Sequence, residues 1–484
     1  MFDNKKTKIV CTLGPATEDD KVLRSMLKAG MNVARLNFSH GTHEYHRKNI
    51  ERVRRIAAEL GKYVAIMTDT KGPEIRTRLN EGGAPIELRS GETIRITTED
   101  VKSTQECIAL DYAPLPDEVG PGDTIFIDDG LLGFKVLEVT DGIITCRVTD
   151  GGKLGERKGV NLPTVNVALP SVTERDREDI RFSCEMRVDA IAASFIRDAR
   201  AVREIRNLCK QYGARKMQII SKIESAFAVQ NFDSILAESD GIMVARGDLG
   251  IEIPPADVPS VQHRIITECN KAYKPVITAT QMLDSMTAHP RPTRAEVSDV
   301  AIAILEGSDC VMLSGETAAG NYPLQSVQMM SEICRKAEIE IEARNTYQSD
   351  RDDRDVSDAT GFAAVQTARR VGAKALLCPT ISGHTARIMS SFKPQLPIIA
   401  ASPDINTLRR CAFYWGVEGM KTEEHSNFNA ICKDALATAN NLDLLETGDI
   451  VVITVGDPIS SPISLDKSVT SDTPTNIMIV AEVM

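Results

Sequence analysis

The sequence predicts an α/β fold: a (β/α)8 barrel with an inserted all-β domain, followed by a C-terminal α/β domain. Strand-like runs alternate with amphipathic helical segments from the N-terminus, which is the rhythm of a parallel sheet. The rhythm breaks near Gly72-Pro73, resumes after Pro170, and supplies eight strand-like runs in all. A strongly charged segment, 343–357, then precedes a second α/β alternation, so we interpret it as a linker.

Length and composition narrow the class of protein. The chain has 484 residues, more than one hydrophobic core normally serves, so two to four domains are expected. Its formal net charge of −11 argues against bulk binding to nucleic acid or to an anionic membrane. No apolar run reaches membrane-spanning length, no signal peptide is visible, and the eleven cysteines show no metal-ligand spacing. We therefore expect a cytoplasmic protein that uses neither nucleic acid nor membrane as a partner.

The barrel is predicted from eight short apolar runs. Amphipathic segments at 19–29 and 43–60 separate the first three of them. The eight predicted strands are 8–12, 31–37, 63–69, 188–193, 217–223, 240–245, 275–280 and 309–314. In such a barrel the catalytic groups lie at the carboxyl ends of the strands, so the residues that follow each run are the candidates for chemistry.

The other two domains have different patterns. Between 74 and 169 the chain shows short runs rich in Val, Ile and Thr, separated by turn signals such as 81–83 and 128–130, which predicts an all-β insertion. Beyond the linker the predicted strands are 375–378, 397–400, 450–455 and 476–480. The predicted domains are the barrel (1–72 and 170–344), the insertion (73–169) and the C-terminal domain (345–484).

One predicted strand ends in a cation and an anion. Strand alternation puts Lys222 and Glu224 on one face, and the next strand-like run ends at Asp248, after Arg246-Gly247. Two carboxylates beside a lysine suit a divalent metal next to a positive charge, as phosphate chemistry requires. The alternative is a buried Lys222–Glu224 ion pair that serves only the structure.

Further polar residues follow the second and third strands. Arg35, Asn37 and Ser39 alternate on one face, and arginine suits a phosphate oxygen. Together with Asp69 and Thr70, Asn37 and Ser39 offer neutral and anionic oxygens that suit a weakly hydrated cation.

Three more segments have hydroxyls or helix-start signals. We interpret Thr42 as the N-cap of a helix, and Thr293 with Glu296 as a capping box. A lone Thr280 at a strand end is usually structural. In the C-terminal domain, hydroxyls that follow a strand and precede a helix can bind an anion, although a capped helix is the simpler interpretation; they are Thr380, Ser382 and Thr385.

On the motifs given below, the chain resembles the pyruvate kinase family from end to end. The family builds a barrel, an inserted β domain that forms a lid over the cleft, and a C-terminal α/β regulatory domain. The matching motifs, in order, are Arg35-Leu-Asn-Phe-Ser-His-Gly, Asp69-Thr-Lys-Gly-Pro-Glu-Ile-Arg76, Lys158-Gly-Val-Asn-Leu-Pro, Lys222-Ile-Glu224, Asp240-Gly-Ile-Met-Val-Ala-Arg-Gly-Asp-Leu-Gly, Thr280-Gln-Met-Leu, Pro292-Thr-Arg-Ala-Glu-Val-Ser-Asp and Met312-Leu-Ser-Gly-Glu-Thr.

The resemblance implies transfer of the phosphoryl group of phosphoenolpyruvate to ADP, giving pyruvate and ATP. It implies that Glu224 and Asp248 bind Mg²⁺ (or Mn²⁺), and that Lys222 and Arg35 contact the phosphoryl group. The substrate carboxylate is expected at Gly247, Asp248 and Thr280, with a water chain near Thr280 as proton donor to the enolate.

The resemblance also implies a K⁺ site, a nucleotide site and an assembly. The expected K⁺ ligands are Asn37, Ser39, Asp69 and Thr70, and Glu74 matches the glutamate of K⁺-dependent members. The expected nucleotide contacts are Asn37, His40, Arg76 and Lys158. A homotetramer is expected, and Thr380, Ser382 and Thr385 match a loop that holds an effector phosphate.

Several positions depart from the family pattern. Ser225 stands where asparagine is commoner, Thr164 where glycine is expected, and Ile302 where asparagine is usual. His384 replaces a basic residue of the effector loop, and the last loop, 456–464, lacks the usual later glycines. The catalytic motifs are complete, but the identity of an effector does not transfer.

Two other functions are compatible with part of this pattern. A Mg²⁺-dependent enolate lyase or aldolase on a related barrel shares the paired carboxylates, but lacks the inserted domain and the predicted K⁺ pocket. A catalytically silent regulator is expected to lose Lys222, Glu224 or Asp248, and all three are present.

Overall fold

The chain begins with three strands joined by two helices, as the sequence predicts. The computed structural model describes residues 5–163, 165–344, 355–425, 427–456 and 475–483. Thr42 caps the second helix by accepting the N–H of Tyr45, which confirms its predicted role. The elements are β1 (Lys8–Thr12), a 3-10 turn (Pro15–Thr17), α1 (Asp20–Ala29), β2 (Met31–Asn37), α2 (His43–Glu59) and β3 (Ala65–Asp69).

An all-β domain follows β3, with its own core around the fully buried Phe134 and Ile144. Its elements are β4 (Ile75–Arg76), a 3-10 turn (Glu81–Gly83), β5 (Ile86–Leu88), β6 (Thr93–Thr97), β7 (Cys107–Ala109), α3 (Leu115–Glu118), β8 (Thr124–Ile127), β9 (Leu132–Thr140), β10 (Ile143–Asp150), β11 (Gly152–Leu154) and β12 (Gly159–Asn161). Seven strands form one sheet in the order β4-β12-β8-β9-β10-β6-β7, and β11 pairs with β5. The predicted insertion is confirmed apart from the short helix α3.

The chain then returns to complete the barrel. Its elements are α4 (Glu174–Glu185), β13 (Ala190–Ala193), α5 (Ala199–Gln211), β14 (Gln218–Ile223), α6 (Ala226–Gln230), α7 (Phe232–Glu238), β15 (Gly241–Ala245), α8 (Arg246–Glu252), a 3-10 turn (Pro255–Asp257), α9 (Val258–Lys271), β16 (Val276–Ala279), a 3-10 turn (Asp284–Thr287), α10 (Arg294–Leu305), β17 (Cys310–Leu313), α11 (Gly315–Ala318) and α12 (Pro323–Arg344). The barrel is closed in the order β1-β17-β16-β15-β14-β13-β3-β2, with every pairing parallel. All eight predicted strands are confirmed.

The C-terminal domain is a five-stranded sheet flanked by helices. Its elements are α13 (Val356–Val371), β18 (Ala375–Pro379), α14 (His384–Ser391), β19 (Ile398–Ser402), α15 (Ile405–Arg410), a 3-10 turn (Cys411–Phe413), β20 (Val417–Lys421), α16 (Phe428–Asn441), β21 (Ile450–Val455) and β22 (Ile477–Glu482). The order is β20-β19-β18-β21-β22, and β22 is antiparallel to β21. The sequence predicts four of these strands and misses β20. Most of the predicted linker, 345–354, lies outside the described residues.

This domain closes the amino-terminal end of the barrel. Gln218, which begins β14, donates to the hydroxyl of Tyr414 over 3.0 Å, and the ammonium of Lys8, which begins β1, donates to the carbonyl of Val417 over 2.7 Å. The opposite end of the barrel is therefore the end open to ligands, and the polar strand ends lie there. No helix in the described ranges has both the length and the apolar character needed to cross a membrane.

Candidate active site

Three neighbouring barrel strands end in a single polar cluster. Strands β3, β13 and β14 are adjacent and in register, with Asp69 opposite Ala192 and Ala193 opposite Ser221. Because the carboxyl ends of parallel strands meet at one rim, Asp69, Ser194 and Lys222 come together there.

Lys222 lies at the centre of this cluster. Its Nζ lies 2.8 Å from Glu224 Oε1 and 3.2 Å from Asp69 Oδ1, and it donates to Ser194 Oγ over 2.7 Å. Burial alone would lower the pKa of Lys222, but the charges of Asp69 and Glu224 outweigh it and raise the pKa above its ordinary value. Lys222 therefore remains a cation over the whole physiological range.

Arg35 supplies a second buried cation. Its Nε donates to Asp69 Oδ2 over 2.6 Å, and its guanidinium also donates to the Thr12 hydroxyl over 2.9 Å. Burial favours the neutral form of Asp69, yet the charges of Arg35 and Lys222 prevail and hold the pKa of Asp69 below its usual value. Asp69 thus serves as the common anion that fixes both cations at the mouth of the barrel.

Glu224 directly follows β14, whereas Asp248 lies in the first turn of α8, which follows the neighbouring strand β15, and does not end the strand as predicted. Burial raises the pKa of both carboxyls above their ordinary values, and the charge of Asp248 adds to the effect on Glu224. Glu224 Oε2 accepts the N–H of Phe195 over 2.6 Å. Within the described ranges no group of three or more His, Cys, Asp or Glu side chains is arranged to hold a metal by itself.

This donor set fits Mg²⁺ rather than a fully protein-enclosed metal. Mg²⁺ binds through one or two carboxylates and keeps its other positions for water and substrate oxygens. A cation between the buried Glu224 and the partly exposed Asp248 would also favour the charged forms that desolvation disfavours, which is why burial raises the pKa of both carboxyls.

The end of β16 approaches the start of α8. Thr280 Oγ1 accepts the N–H of Gly247 over 2.7 Å and donates to the carbonyl of Ala279 over 2.6 Å. Thr280 has a φ of 69° and Gln281 a φ of 52°, a left-handed conformation that is costly for a β-branched residue and that clusters at functional sites. The Arg246 guanidinium fixes this turn by donating to the Thr280 carbonyl over 2.8 Å.

The predicted K⁺ ligands lie at the carboxyl ends of the adjacent strands β2 and β3: Asn37 and Asp69 end the strands, and Ser39 and Thr70 follow them. Asn37 is opposite Asp69 in the sheet, and Asn37 Oδ1 accepts the N–H of Ser39 over 3.0 Å. The carbonyl of Thr70 accepts the hydroxyl of Ser194 over 2.7 Å. The carboxylate of Glu74 is paired with two cations, because it lies 2.6 Å from the guanidinium of Arg76 and 3.4 Å from Lys71 Nζ.

A cleft lies between the inserted domain and the barrel. Its cavity has a volume of about 330 Å³, and its lining includes Arg76, Lys158, Asp248 and Glu252. Lys158 Nζ lies 2.9 Å from Asp128 Oδ1, within the inserted domain. The exposed His40 is placed outside this lining, at the loop that follows β2. The cleft therefore unites two of the four predicted nucleotide contacts with a predicted metal ligand.

Some contacts at the site have only a faint sequence signal. Asn161 of β12 donates to Glu252 Oε1 over 3.0 Å and so links the inserted domain to α8. Asp176 accepts the N–H of Gly72 over 3.0 Å, across 104 residues of chain. Ser194 follows a strand, which marks it as polar but not as a partner of Lys222. Pairings of this kind depend on the closed fold and cannot be deduced from spacing.

The hydroxyls of the C-terminal domain lie between β18 and α14. Thr380 accepts the N–H of Gly383 over 2.9 Å, and Ser382 accepts that of His384 over 3.3 Å, so both stabilise the turn into the helix. Both residues, with the buried Thr385, line a cavity of about 470 Å³. The turn and an open anion site are thus compatible.

The departures from the family pattern have separate outcomes. Ser225 caps α6 by accepting the N–H of Ala228 over 3.2 Å, the role that asparagine also performs. Ile302 is exposed on α10, and His384 Nδ1 lies 3.1 Å from the Arg387 guanidinium. Thr164 and residues 457–464 of the last loop lie outside the described residues.

Comparison with known proteins gives one answer throughout. The family model for the pyruvate kinase barrel domain matches residues 4–327, and the model for the pyruvate kinase alpha/beta domain matches residues 358–468. A pyruvate kinase of Sporosarcina psychrophila is 46% identical over 459 residues, which is 94% of this chain and 78% of that protein. One of Geobacillus stearothermophilus is 46% identical over the same shares. The crystal structure of a pyruvate kinase from Cryptosporidium parvum superposes with a TM-score of 0.89 at 40% identity, covering 99% of this chain and 97% of that one.

Proposed function

The chain belongs to the pyruvate kinase family, which moves the phosphoryl group of phosphoenolpyruvate to ADP, and from this we propose a role for each residue of the cluster. Lys222 and Arg35 neutralise the charge of the phosphoryl group as it leaves one oxygen and joins the other. The observation that carries this proposal is the shared anion, Asp69, which holds both cations at the open end of the barrel. Phosphoryl transfer needs such fixed positive charge more than it needs covalent chemistry.

Glu224 and Asp248 are the proposed ligands of Mg²⁺ or Mn²⁺. When bound, the metal would neutralise charge on the substrate's carboxylate and phosphate oxygens. Glu224 is oriented for this by two donors, the N–H of Phe195 on one oxygen and Lys222 on the other. Its side chain therefore has little rotational freedom to lose when a metal binds.

We assign the substrate carboxylate to the turn around Thr280. The N–H groups of Gly247 and Asp248 begin α8, where a helix N-terminus favours negative charge, and the Thr280 hydroxyl adjoins them. A carboxylate held here would place the transferring phosphoryl group toward Lys222. The hydroxyl of Thr280 is also in position to steady a water that delivers the proton to the enolate.

The K⁺ site is proposed at Asn37, Ser39, Asp69 and Thr70. Support comes from the pairing of Asn37 with Asp69 and from the mixture of neutral and anionic oxygens at this corner. Glu74 would act indirectly, because its carboxylate is engaged by Arg76.

The nucleotide site is proposed at Asn37, His40, Arg76 and Lys158. Arg76 and Lys158 belong to the inserted domain and face the cleft, so they carry positive charge to the phosphates of ADP. The inserted domain would then act as a lid whose position affects nucleotide affinity. The division into domains 1–72 with 170–344, 73–169 and 345–484 underlies this proposal.

A coupled assay tests the assignment directly. Pyruvate formation from phosphoenolpyruvate and ADP would be followed with and without Mg²⁺ and K⁺. Turnover that needs the divalent metal supports the proposal, and activation by K⁺ supports the monovalent site. Cleavage of a carbon–carbon bond without phosphoryl transfer would indicate an enolate lyase or aldolase, and no turnover at saturation would indicate a silent regulator.

Assembly, location and regulation are proposed from the family alone. We propose a cytoplasmic homotetramer, which light scattering would test. We also propose that Thr380, Ser382 and Thr385 bind the phosphate of an effector, supported by the cavity that they line. Thermal stabilisation by sugar phosphates or nucleotides, lost in Thr385→Val, would identify the effector class.

A further inference from the structure

One short loop contacts both connections between the barrel and the lid. The loop, Ser194–Arg197, follows β13 and precedes α5, and we call it the bridge loop. The lid leaves the barrel after Gly72 and returns along 165–169, and both of these segments touch the bridge loop. The same loop contacts Lys222 and Glu224.

The returning connection is held by Arg197. Its guanidinium donates two hydrogen bonds, one to the carbonyl of Val167 and one to that of Leu169. The intervening N–H, that of Ala168, donates instead to Glu118 of the lid over 3.0 Å. Val167 and Leu169 also pack on the lid core, so Arg197 is hydrogen-bonded to a segment that belongs to the lid.

The outgoing connection rests against Phe195. Gly72 has a φ of 71°, and a Cβ at that position would lie only 2.6 Å from Phe195 Cδ2. The Gly72 N–H donates to Asp176 Oδ1 over 3.0 Å, so the backbone is fixed where it presses on the ring. A displacement of this lid connection would therefore change the space available to the Phe195 ring.

Phe195 is also the residue that orients Glu224. Its N–H donates to Glu224 Oε2 over 2.6 Å, and its φ of 54° is an uncommon conformation for a bulky residue. Such a conformation persists only while the surroundings over-determine it. These surroundings include Gly72, which lies against the ring, and Arg197, which ends the same loop and is bonded to the lid connection.

We propose that Arg197 is a positioning residue that couples the lid to the divalent-metal site, acting through Phe195 on Glu224. The proposal rests on the assignment of Glu224 as a metal ligand. Arg197 holds the lid against the bridge loop, and the seated lid keeps the Phe195 N–H aimed at the carboxylate. Loss of the arginine releases the returning segment, relaxes Phe195, and leaves Glu224 less well oriented.

This coupling predicts an effect on metal affinity with no nucleotide present. Groups that orient a metal ligand typically contribute about 10–100-fold to affinity. If Arg197 instead bound the phosphates of ADP from its place in the cleft lining, its loss would weaken ADP binding and leave the metal alone unaffected. The two roles are therefore separable by titrating the metal without substrate.

The test is a titration of the full chain with Mn²⁺ alone, followed by electron paramagnetic resonance of the free ion. The variants are Arg197→Met, Arg197→Lys, Glu224→Gln and the control Arg203→Met. Arg203 lies on α5, and its guanidinium pairs at the surface with Glu238 over 3.0 Å. Hydrogen exchange of the peptide covering 165–172 would report whether the lid connection has been released.

The expected result is about a 10-fold increase in the Mn²⁺ dissociation constant for Arg197→Met. Arg197→Lys retains the charge and one hydrogen-bond donor, so its Mn²⁺ dissociation constant should lie between those of Arg197→Met and the wild type. This variant also tests the coupling if Arg197→Met does not fold. An unchanged dissociation constant in both variants, while Glu224→Gln weakens binding, overturns the coupling and leaves the metal site intact. Unchanged binding in Glu224→Gln itself would overturn the metal assignment and the coupling with it.

Discussion

Lys222 and Glu224 form a buried ion pair, with Nζ 2.8 Å from Oε1, at the carboxyl end of one strand. Strand alternation predicts their common face, and the structure confirms it. The two residues can contact each other and still have separate roles, because each also has another partner. Lys222 also lies close to Asp69, and the second oxygen of Glu224 accepts the Phe195 N–H. A divalent metal at Glu224 must therefore share a carboxylate that is already held from two sides.

Replacing Lys222 separates the phosphoryl-transfer role from the metal role. Lys222→Met should lower kcat by at least about 10³-fold, because a fixed charge at the transition state is lost. Metal affinity should be retained or increased, because the variant removes a cation that competes for Glu224. Steady-state kinetics and Mn²⁺ titration measure the two effects.

Lys210→Met, an exposed substitution on α5, is the matched control and should change neither quantity. Turnover near that of the wild type in Lys222→Met would remove Lys222 from its proposed role.

Neutralising either metal carboxylate should act on the metal requirement first. Glu224→Gln and Asp248→Asn each remove an anionic oxygen ligand, so the Mg²⁺ concentration for half-maximal activity should rise by about 10-fold or more. Both substitutions preserve the size of the side chain, and the amide oxygen in Glu224→Gln can still accept the Phe195 N–H, so both variants should fold. Activity measured across a Mg²⁺ series gives the shift.

Asp257→Asn, on the exposed turn after α8, provides the control. A Mg²⁺ requirement that is the same in the control and in both site variants would contradict the assignment.

The lid should depend on the hydrogen bond between Asn161 and Glu252. Asn161→Asp places a second carboxylate beside Glu252, whose pKa is already raised by burial, and so replaces an attraction by a repulsion. We expect KM for ADP to rise about tenfold, the value of one charge-assisted hydrogen bond, with little change in Tm.

The double variant Asn161→Asp with Glu252→Gln restores a donor and an acceptor and should recover most of the affinity. A tenfold loss that persists in the double variant would show that Asn161 acts by another route.

The sequence predicts elements better than it predicts contacts. The eight barrel strands are short apolar runs in a chain that alternates with helical segments, and such runs can be predicted from sequence. Strand β20, Val417–Lys421, is missed because glutamate, glycine and lysine interrupt a short segment that is defined by its partner β19. Local pattern cannot supply what only pairing provides.

The same distinction holds at the site. Lys222 and Glu224 are two positions apart in sequence and easily identified, whereas Asp69 becomes the anion shared by Arg35 and Lys222 only when the barrel closes. Phe195 contributes a backbone N–H, for which side-chain chemistry gives no signal.

Asp189 should make stability depend on pH in an unusual direction. Burial at the amino-terminal end of the barrel raises its pKa to about 6, although the N–H of Ile66 donates to it over 2.8 Å. Since the folded pKa exceeds the unfolded value of about 3.9, the folded state binds the proton more tightly. Its contribution to the free energy of unfolding is therefore present below pH 4 and is lost as the pH rises through 6.

Asp189→Asn removes this dependence. Relative to the wild type, the variant should gain stability as the pH rises from 4 to 7, by on the order of 3 kcal/mol at the upper end. Urea unfolding at several pH values in this range gives the free energy of unfolding of both proteins. Their difference removes the contributions of the other titrating groups, which the two proteins share. Asp233→Asn, at an exposed ion pair with Arg264, should show no such trend. A difference that is constant with pH would contradict the assignment.

The hydroxyl of Thr280 should be needed both for binding of the substrate carboxylate and for proton transfer to the enolate. It accepts the Gly247 N–H, and Thr280→Val keeps the shape and the left-handed backbone while leaving that N–H without its acceptor. We expect kcat/KM for phosphoenolpyruvate to fall by about 10–100-fold, because the unmatched donor and the lost hydroxyl both disturb the carboxylate position. Thr280→Ser retains the hydroxyl, and its kcat/KM should remain within a few-fold of the wild type.

Exchange of the methyl protons of pyruvate with solvent isolates the proton step, and this exchange should slow in Thr280→Val but not in Thr280→Ser. Equal exchange in the two would place the proton relay elsewhere in the cleft, and equal kcat/KM would remove the hydroxyl from substrate binding as well.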